Sequence, residues 1–381
     1  MAIDVVRLTK ELVSYNSVSS LTNVPVTRHC AKVLKSIGFQ IEQLPYKDAN
    51  GVDKLSIVGK LGKGNGGLAL MSHNDVVPAT NAHDWTNGDP FKPRISKGKL
   101  YGRGSADMKG PLAASIAAAA EYKATELKAP IYIVVTADEE IGGGGASSVA
   151  KQSRFFREAS QGYGLICEPT RLRVVYAHKG GMQMVIESKG RAAHTSTLKG
   201  VNANLKMIPF LTEMAKVNEL ALTSKRFRNE EFNPPHSEWS ISINDHNLAM
   251  NVYPVKSICR ISYRPMPDVD ITPLIERTRA SARKHGLKFR LLKSGRPLYT
   301  DPTSPFVQSA LKITGTRKPT TVPYGTDGVQ FASVMKRMIV IGPGDIAQAH
   351  TVDEWIELDQ LRKGVQVYRR FIDQICVEDA L

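Results

Sequence analysis

Apolar residues recur along this chain with two different periods, and the changes from one to the other mark out its elements. Val5, Leu8 and Leu12 lie at helical spacing behind Asp4, a residue suited to an N-cap. A second helix is predicted over Val24 to Ser36. Short, uninterrupted apolar runs then appear at Leu68 to Met71, Ile131 to Thr136, Gly164 to Cys167 and Met338 to Ile341, separated by helical or loop segments. Such runs read as strands buried on both faces of an α/β sheet. Pro111 sits where a first-turn proline belongs, so the Ala-rich stretch up to Tyr122 is predicted to be a helix. Leu361, Val365, Tyr368, Ile372 and Ile375 fall on one face of a last helix.

From about Lys179 to Arg290 the texture changes. Strand-like alternation at Met182 to Ser188 is followed by a helix near Asn202 to Val217, strands at Trp239 to Asn244 and Ile258 to Arg264, and a helix from Pro273 to His285. This β-α-β-β-α-β order predicts an inserted α+β sandwich of ferredoxin-like type. The expected architecture is therefore an α/β body of residues 1–178 and 291–381, with a central mixed sheet flanked by helices, and an inserted domain of residues 179–290.

At 381 residues the chain is long enough for two cores. No apolar run reaches the roughly 20 residues of a membrane-spanning helix, and the N-terminus lacks a signal-peptide pattern, so a cytoplasmic location with no membrane partner is expected. Cys30, Cys167, Cys259 and Cys376 are scattered without a CxxC pair, which reads as buried thiols rather than a disulfide framework or thiolate metal site. The formal net charge is +15, but Lys and Arg are dispersed, and no basic arm or aromatic-interleaved basic run points to nucleic acid. A basic field of this kind suits carboxylate-bearing small molecules.

The chemistry gathers where strands end. LALMSHND, IYIVVTADEE and LICEPT each run from an apolar strand into metal-ligand residue types. Ligands of open α/β sheets bind beyond the carboxyl ends of the strands, so His73, Asp75, Glu139, Glu140 and Glu168 are expected to share a cleft. Asp107, in the glycine-bearing segment YGRGSADMKG, and His350, in the loop after the Ile341 strand, complete the set. Carboxylates so crowded repel one another unless a cation neutralises them, and imidazole with carboxylate suits zinc.

These segments resemble the zinc aminoacylase and carboxypeptidase family that includes acetylornithine deacetylase, succinyl-diaminopimelate desuccinylase and glutamate carboxypeptidases. The resemblance rests on His73-Asn74-Asp75, Gly102 to Gly110, Asp138-Glu139-Glu140, Cys167-Glu168-Pro169-Thr170 and Gly342-Pro343-Gly344 with Gln348-Ala349-His350. It implies a zinc-peptidase-like catalytic domain, and a homodimer formed through the inserted domain, which also acts as a lid. It implies two zinc ions, replaceable by cobalt, bridged by Asp107, with His73 and Glu168 on one and Glu140 and His350 on the other. Glu139 would be the general base, and Asp75 would accept a hydrogen bond from the His73 ring. A cis peptide is implied at Asp107-Met108. His194 would stabilise the oxyanion, reaching the partner subunit's site. Arg264, Asn251, Gly325 and Thr326 would hold the substrate.

Ala177-His178-Lys179-Gly180, Gly200 to Ala203 and the run from Gly342 to Glu357 look most like acetylornithine deacetylase, which implies an N-acetyl amino acid and a place in arginine biosynthesis. Val76-Val77-Pro78 and Gly325 to Gly328 look more like the desuccinylase branch, so desuccinylase-like or glutamate carboxypeptidase-like activity is the alternative. A non-catalytic binding homologue is the reading from another class. His178 reads as a hinge or packing residue, Gly142 to Gly145 as a flexible turn after the base. His29, His83, His236, His246 and His285 fall outside the motifs.

Overall fold

Each of the four apolar runs becomes a strand in a computed structural model that describes residues 3–79, 84–86, 88–247 and 249–378. His83 lies outside the described residues. In chain order the strands are β1 (Gln40–Lys47), β2 (Asp53–Leu61), β3 (Leu68–His73), β4 (Arg94–Ser96), β5 (Lys99–Tyr101), β6 (Ile131–Thr136), β7 (Tyr163–Ile166), β8 (Val175–His178), β9 (Gly181–Lys189), β10 (Ser240–Asn244), β11 (Lys256–Tyr263), β12 (Lys288–Gly295), β13 (Leu298–Tyr299), β14 (Thr320–Val322), β15 (Met338–Val340) and β16 (Trp355–Glu357). The helices are α1 (Val5–Val13), α2 (Val24–Ser36), α3 (Lys109–Ala119), α4 (Gly144–Gln152), α5 (Arg154–Ala159), α6 (Ala203–Thr223), α7 (Thr272–Lys284), α8 (Pro305–Thr314), α9 (Gly328–Phe331) and α10 (Leu358–Ile372). The chain divides into two compact units, Met1–Ala177 with Tyr299–Thr320 and Thr326–Leu381, and His178–Leu298 with Thr321–Gly325.

The first unit is built on a mixed sheet in the order β1-β2-β6-β3-β7-β15-β8-β13, with β14 beside β8. At its centre β3 runs parallel to both β6 and β7, and β7 parallel to β15. Every residue of β3 and β6 is buried, as strands covered on both faces require. Helix α3 is buried along its whole length and packs against α1, α10 and β3. Its Lys-Gly-Pro-Leu-Ala-Ala-Ser-Ile-Ala-Ala-Ala sequence has no polar face, and the small side chains let neighbouring helices approach closely. The Asp4 carboxylate caps α1, accepting the backbone N–H groups of Val6 and Arg7. A second, small sheet joins β16 to β5 and β5 to β4.

The second unit is a four-stranded antiparallel sheet in the order β10-β11-β9-β12, with α6 and α7 on one side. Alternate residues of β11, Ser257, Cys259, Ile261 and Tyr263, are buried, as a sheet covered on one face dictates. Met184, Ile186, Phe210, Met214, Ile261 and Leu274 form the core between sheet and helices. Strand β12 continues its pairing with β9 as far as Gly295, beyond the expected end of the insertion at 290. Helix α6 likewise runs past Val217 to Thr223, because Val217 and Ala221 both remain in the core.

The four cysteines are buried and free, and burial holds the Cys30 and Cys259 thiols up at about 12. Among the described residues no helix is long and apolar enough to cross a membrane.

Candidate metal centre

Parallel pairing brings the carboxyl ends of β3, β6, β7 and β15 to one edge of the sheet, and the candidate ligands follow from there. His73 is the last residue of β3, Glu139 and Glu140 come three and four residues after β6, and Glu168 two after β7. His350 lies in the loop between β15 and β16, and Asp107 in the loop between β5 and α3. Gly104 in that loop takes a φ of +84°, where a side chain would be strained, and a β-carbon there would come within 2.6 Å of Val76. The Asp107-Met108 peptide is cis.

Asp107 stands between two groups of ligands. Its Oδ1 is 3.1 Å from His73 Nε2, and its Oδ2 is 3.3 Å from His350 Nε2. Glu168 approaches His73 Nε2 to 3.7 Å, and Glu140 approaches His350 Nε2 to 3.0 Å. His73, Asp107 and Glu168 form one cluster, and Asp107, Glu140 and His350 another, the ligand atoms within each lying inside 4.8 Å of one another.

Burial sets the electrostatics. It pushes the Glu139, Glu140 and Glu168 carboxyls above their usual range, and neighbouring carboxylates, Asp107 among them, push further. Asp107 goes the other way: against the cost of burial, hydrogen bonds with His350 and His73 hold its carboxyl below the usual range. Bonds to Asp107 and Glu140 raise His350 to about 10. Protons on the imidazoles thus stand in for positive charge that the cluster demands. Divalent cations satisfy the same demand and displace those protons, so the donor set fits two cations that share the Asp107 carboxylate.

Asp75 behaves differently from the expectation. The His73 Nδ1 lies 3.0 Å from the Asp75 carbonyl oxygen and 3.5 Å from its carboxylate, so the backbone is the nearer acceptor. The carboxylate instead accepts the Glu139 N–H at 3.2 Å and the Ser19 hydroxyl at 2.6 Å. The residue before Glu139, Asp138, has a φ of +61° and is held from the other side. Lys54 Nζ lies 2.7 Å from its Oδ1, and the Tyr46 hydroxyl donates to its Oδ2 at 2.7 Å. Ser19, Tyr46 and Lys54 were not identified from sequence, because a buried Lys within an apolar strand carries no signal of its distant partner. Asp327 was also missed as an individual residue. It accepts the Thr136 hydroxyl at 2.5 Å and adds negative charge near Glu139.

The glycine run after Glu140 is no flexible turn. Gly143 caps α4, and a β-carbon on Gly145 would lie 2.5 Å from the Ala137 backbone, so this is a close approach that only glycine permits. Thr326 is buried, with its hydroxyl accepting the Gly328 N–H at 3.0 Å.

The remaining candidates belong to the second unit. His194 is exposed, with its Nδ1 2.7 Å from the Ser196 hydroxyl and 3.3 Å from the Ser196 backbone nitrogen. The segments of His194 and Asn251 run side by side, with the Thr195 N–H donating to the Asn251 carbonyl at 2.9 Å. Arg264 lines an open depression of about 700 Å³, together with Lys179, Glu238 and Tyr324. Gly325 closes the short segment Thr321–Gly325 of this unit. His178, at the start of the unit, is fully buried with Nδ1 2.9 Å from the Lys179 carbonyl, a packing residue as expected.

Residues 69–374 match the peptidase family M20/M25/M40. The chain is 31% identical to an acetylornithine deacetylase of Myxococcus xanthus, over 96% of both chains. It is 30% identical to an acetylornithine deacetylase of Proteus mirabilis, over 98% of this chain and 97% of the relative. Among solved structures, an M20 family metallo-carboxypeptidase from Sulfolobus solfataricus superposes with a TM-score of 0.75 at 17% identity, over 97% of this chain and 98% of that one. Human carnosine dipeptidase 1 superposes with a TM-score of 0.70 at 19% identity, over 97% and 96%. At these identities the two structures bear on the fold alone.

Proposed function

Because the chain belongs to peptidase family M20/M25/M40 and is a hydrolase of amide bonds, we propose that it removes the acyl group from an N-acyl amino acid, N-acetylornithine above others, with zinc as its metal. The observation that carries this reading is the Asp107 carboxylate, whose two oxygens face two separate ligand clusters. His73 and Glu168 would hold one cation, Glu140 and His350 the other, and Asp107 both. When bound, the cations would polarise the amide carbonyl and make a water acidic enough to lose its proton near neutral pH.

Glu139 is the proton carrier in this proposal. Its carboxylate takes the proton from the attacking water, and delivers it to the amine nitrogen as the C–N bond breaks. Asp75 orients it through the backbone bond described above. His194, its Nδ1 engaged by Ser196, would present Nε2 to donate to the oxyanion of the tetrahedral intermediate. Arg264 suits the free carboxylate of the amino acid through its bidentate fork, with Asn251, Gly325 and Thr326 as further substrate contacts.

A homodimer in the cytoplasm completes the proposal. Ile208 of α6 and Ile243 of the edge strand β10 are exposed and line one depression, an apolar patch on the second unit that supports self-association.

A panel of N-acetyl, N-succinyl and peptide substrates, assayed with the zinc-loaded protein, tests the reading. Turnover of N-acetylornithine with the highest kcat/KM supports it. A preference for succinylated substrates moves the protein to the desuccinylase branch, and no amide hydrolysis at all rejects it.

A further inference from the structure

We infer that Glu354 is a positioning residue for the metal centre, its buried carboxylate shaping the loop that carries Asp107 and tying it to the loop that carries His350. Glu354 is fully buried. Its Oε2 accepts from Arg103 Nη1 at 2.7 Å and from the Gly104 N–H at 3.0 Å. Its Oε1 accepts the N–H groups of Ala106 at 2.9 Å and Asp107 at 3.0 Å. Its backbone carbonyl accepts the Gly102 N–H at 2.9 Å.

Five donors from residues 102–107 therefore converge on one residue, and four of them fill the acceptor sites of a single carboxylate. The small sheet explains why they can. Glu354 immediately precedes β16, which pairs with β5 from Trp355↔Tyr101 to Glu357↔Lys99, and the Asp107 loop leaves from the end of β5. His350 lies four residues before Glu354. Two ligands of one proposed cation, Asp107 and His350, thus depart from adjoining strands that this carboxylate fastens together.

Glutamine has the same shape but only one carbonyl oxygen. Whichever way its amide turned, an NH₂ group would face two N–H donors, so two bonds would be lost and a repulsion added. Arg103, buried beside it, would lose its counter-charge.

This inference rests on the two-cation reading, and a cobalt titration of metal-free protein separates the two. Binding is read from the visible absorption of Co²⁺, with circular dichroism and thermal melting to establish folding. The unmodified protein is expected to take up two Co²⁺, and Glu354→Gln to bind them roughly 10–100-fold more weakly, as loss of a ligand's supporting hydrogen bonds does elsewhere. Glu354→Asp, which keeps the charge, should recover part of the affinity. Leu34→Ala, a cavity variant in α2 where it packs on β2, supplies the comparison for destabilisation alone and should bind as the unmodified protein does. Cobalt affinity unchanged in Glu354→Gln, or equally weakened in Leu34→Ala, overturns the inference. If Glu354→Gln does not fold, Glu354→Asp decides, weakened binding supporting the inference and unchanged binding overturning it. Absence of cobalt uptake by the unmodified protein overturns the two-cation reading and the inference with it.

Discussion

The Asp75 carboxylate accepts the backbone N–H of Glu139 at 3.2 Å, whereas the His73 ring is closer to the Asp75 carbonyl than to its carboxylate. The side chain thus bears on the proposed base more than on the ligand. Asp75→Ala is expected to lower kcat about 10–100-fold while leaving zinc affinity close to its original value. Steady-state kinetics paired with metal analysis will check this; zinc loss with full turnover per bound zinc would transfer the residue's influence to His73.

Glu139→Gln keeps the shape of the side chain and removes its capacity to carry a proton. Turnover is expected to fall by roughly 10²–10⁴-fold with the metal content unchanged. Single-turnover assays on zinc-loaded protein measure it, and activity near that of the unmodified enzyme would assign the proton transfer to another group.

Asp107 and His350 should differ in metal stoichiometry. Asp107→Asn weakens both clusters, because each uses one of its oxygens, and is expected to leave little zinc at either. His350→Ala removes a ligand from one cluster and should leave about one zinc per chain. Elemental analysis after gel filtration distinguishes these outcomes; equal losses in the two variants would contradict a shared Asp107.

Acid should destabilise the protein through His178. Burial pushes this imidazole down from 6.5 to about 4, so between those values the unfolded chain binds a proton that the folded chain resists. Stability contributed by the neutral ring is complete above pH 6.5 and declines as pH falls toward 4, by about 3 kcal/mol in total. His178→Asn should lack this slope. Urea denaturation of both proteins between pH 4 and 7.5 will reveal it, and parallel curves would refute it.

Lys54 and Asp138 form a buried ion pair at 2.7 Å, both almost wholly removed from solvent. Lys54→Met leaves the Asp138 charge without its cation and is expected to cost about 3–5 kcal/mol, while adding Asp138→Asn should recover a large part. A double-mutant cycle in chemical denaturation measures the coupling. Additive losses would mean that the pair contributes little.

Much of this molecule was legible in the sequence because its informative residues are local. The apolar runs at Leu68, Ile131 and Gly164 declared strands, and each ended in a ligand type, so His73, Glu139, Glu140 and Glu168 could be grouped from the sequence. Asp107 and His350 were candidates from their loops, but their places around the cations came from motif resemblance, since nothing in a loop sequence states where it returns in space. Residues that act through distant partners were invisible for the same reason. Neither Lys54 nor Glu354 has a neighbouring residue in the sequence that names its partner. The end of the inserted unit was misplaced at 290 because β12, Lys-Phe-Arg-Leu-Leu-Lys-Ser-Gly, dilutes its apolar positions with charge. Its alignment with β9 depends on hydrogen bonds that composition does not express.

The complete burial of β3 and β6 has a consequence for how this protein tolerates change. In a half-exposed strand, a slip of one position throws apolar side chains into water and is resisted at every residue. Here both faces are equally dry, so greasiness alone would accept Leu-Ala-Leu-Met in either phase. The phase tells most at the tip, where His73 stands opposite Thr136. A single inserted residue in β3 would keep the layer apolar yet swing the imidazole to the far side, away from the cation it is proposed to hold.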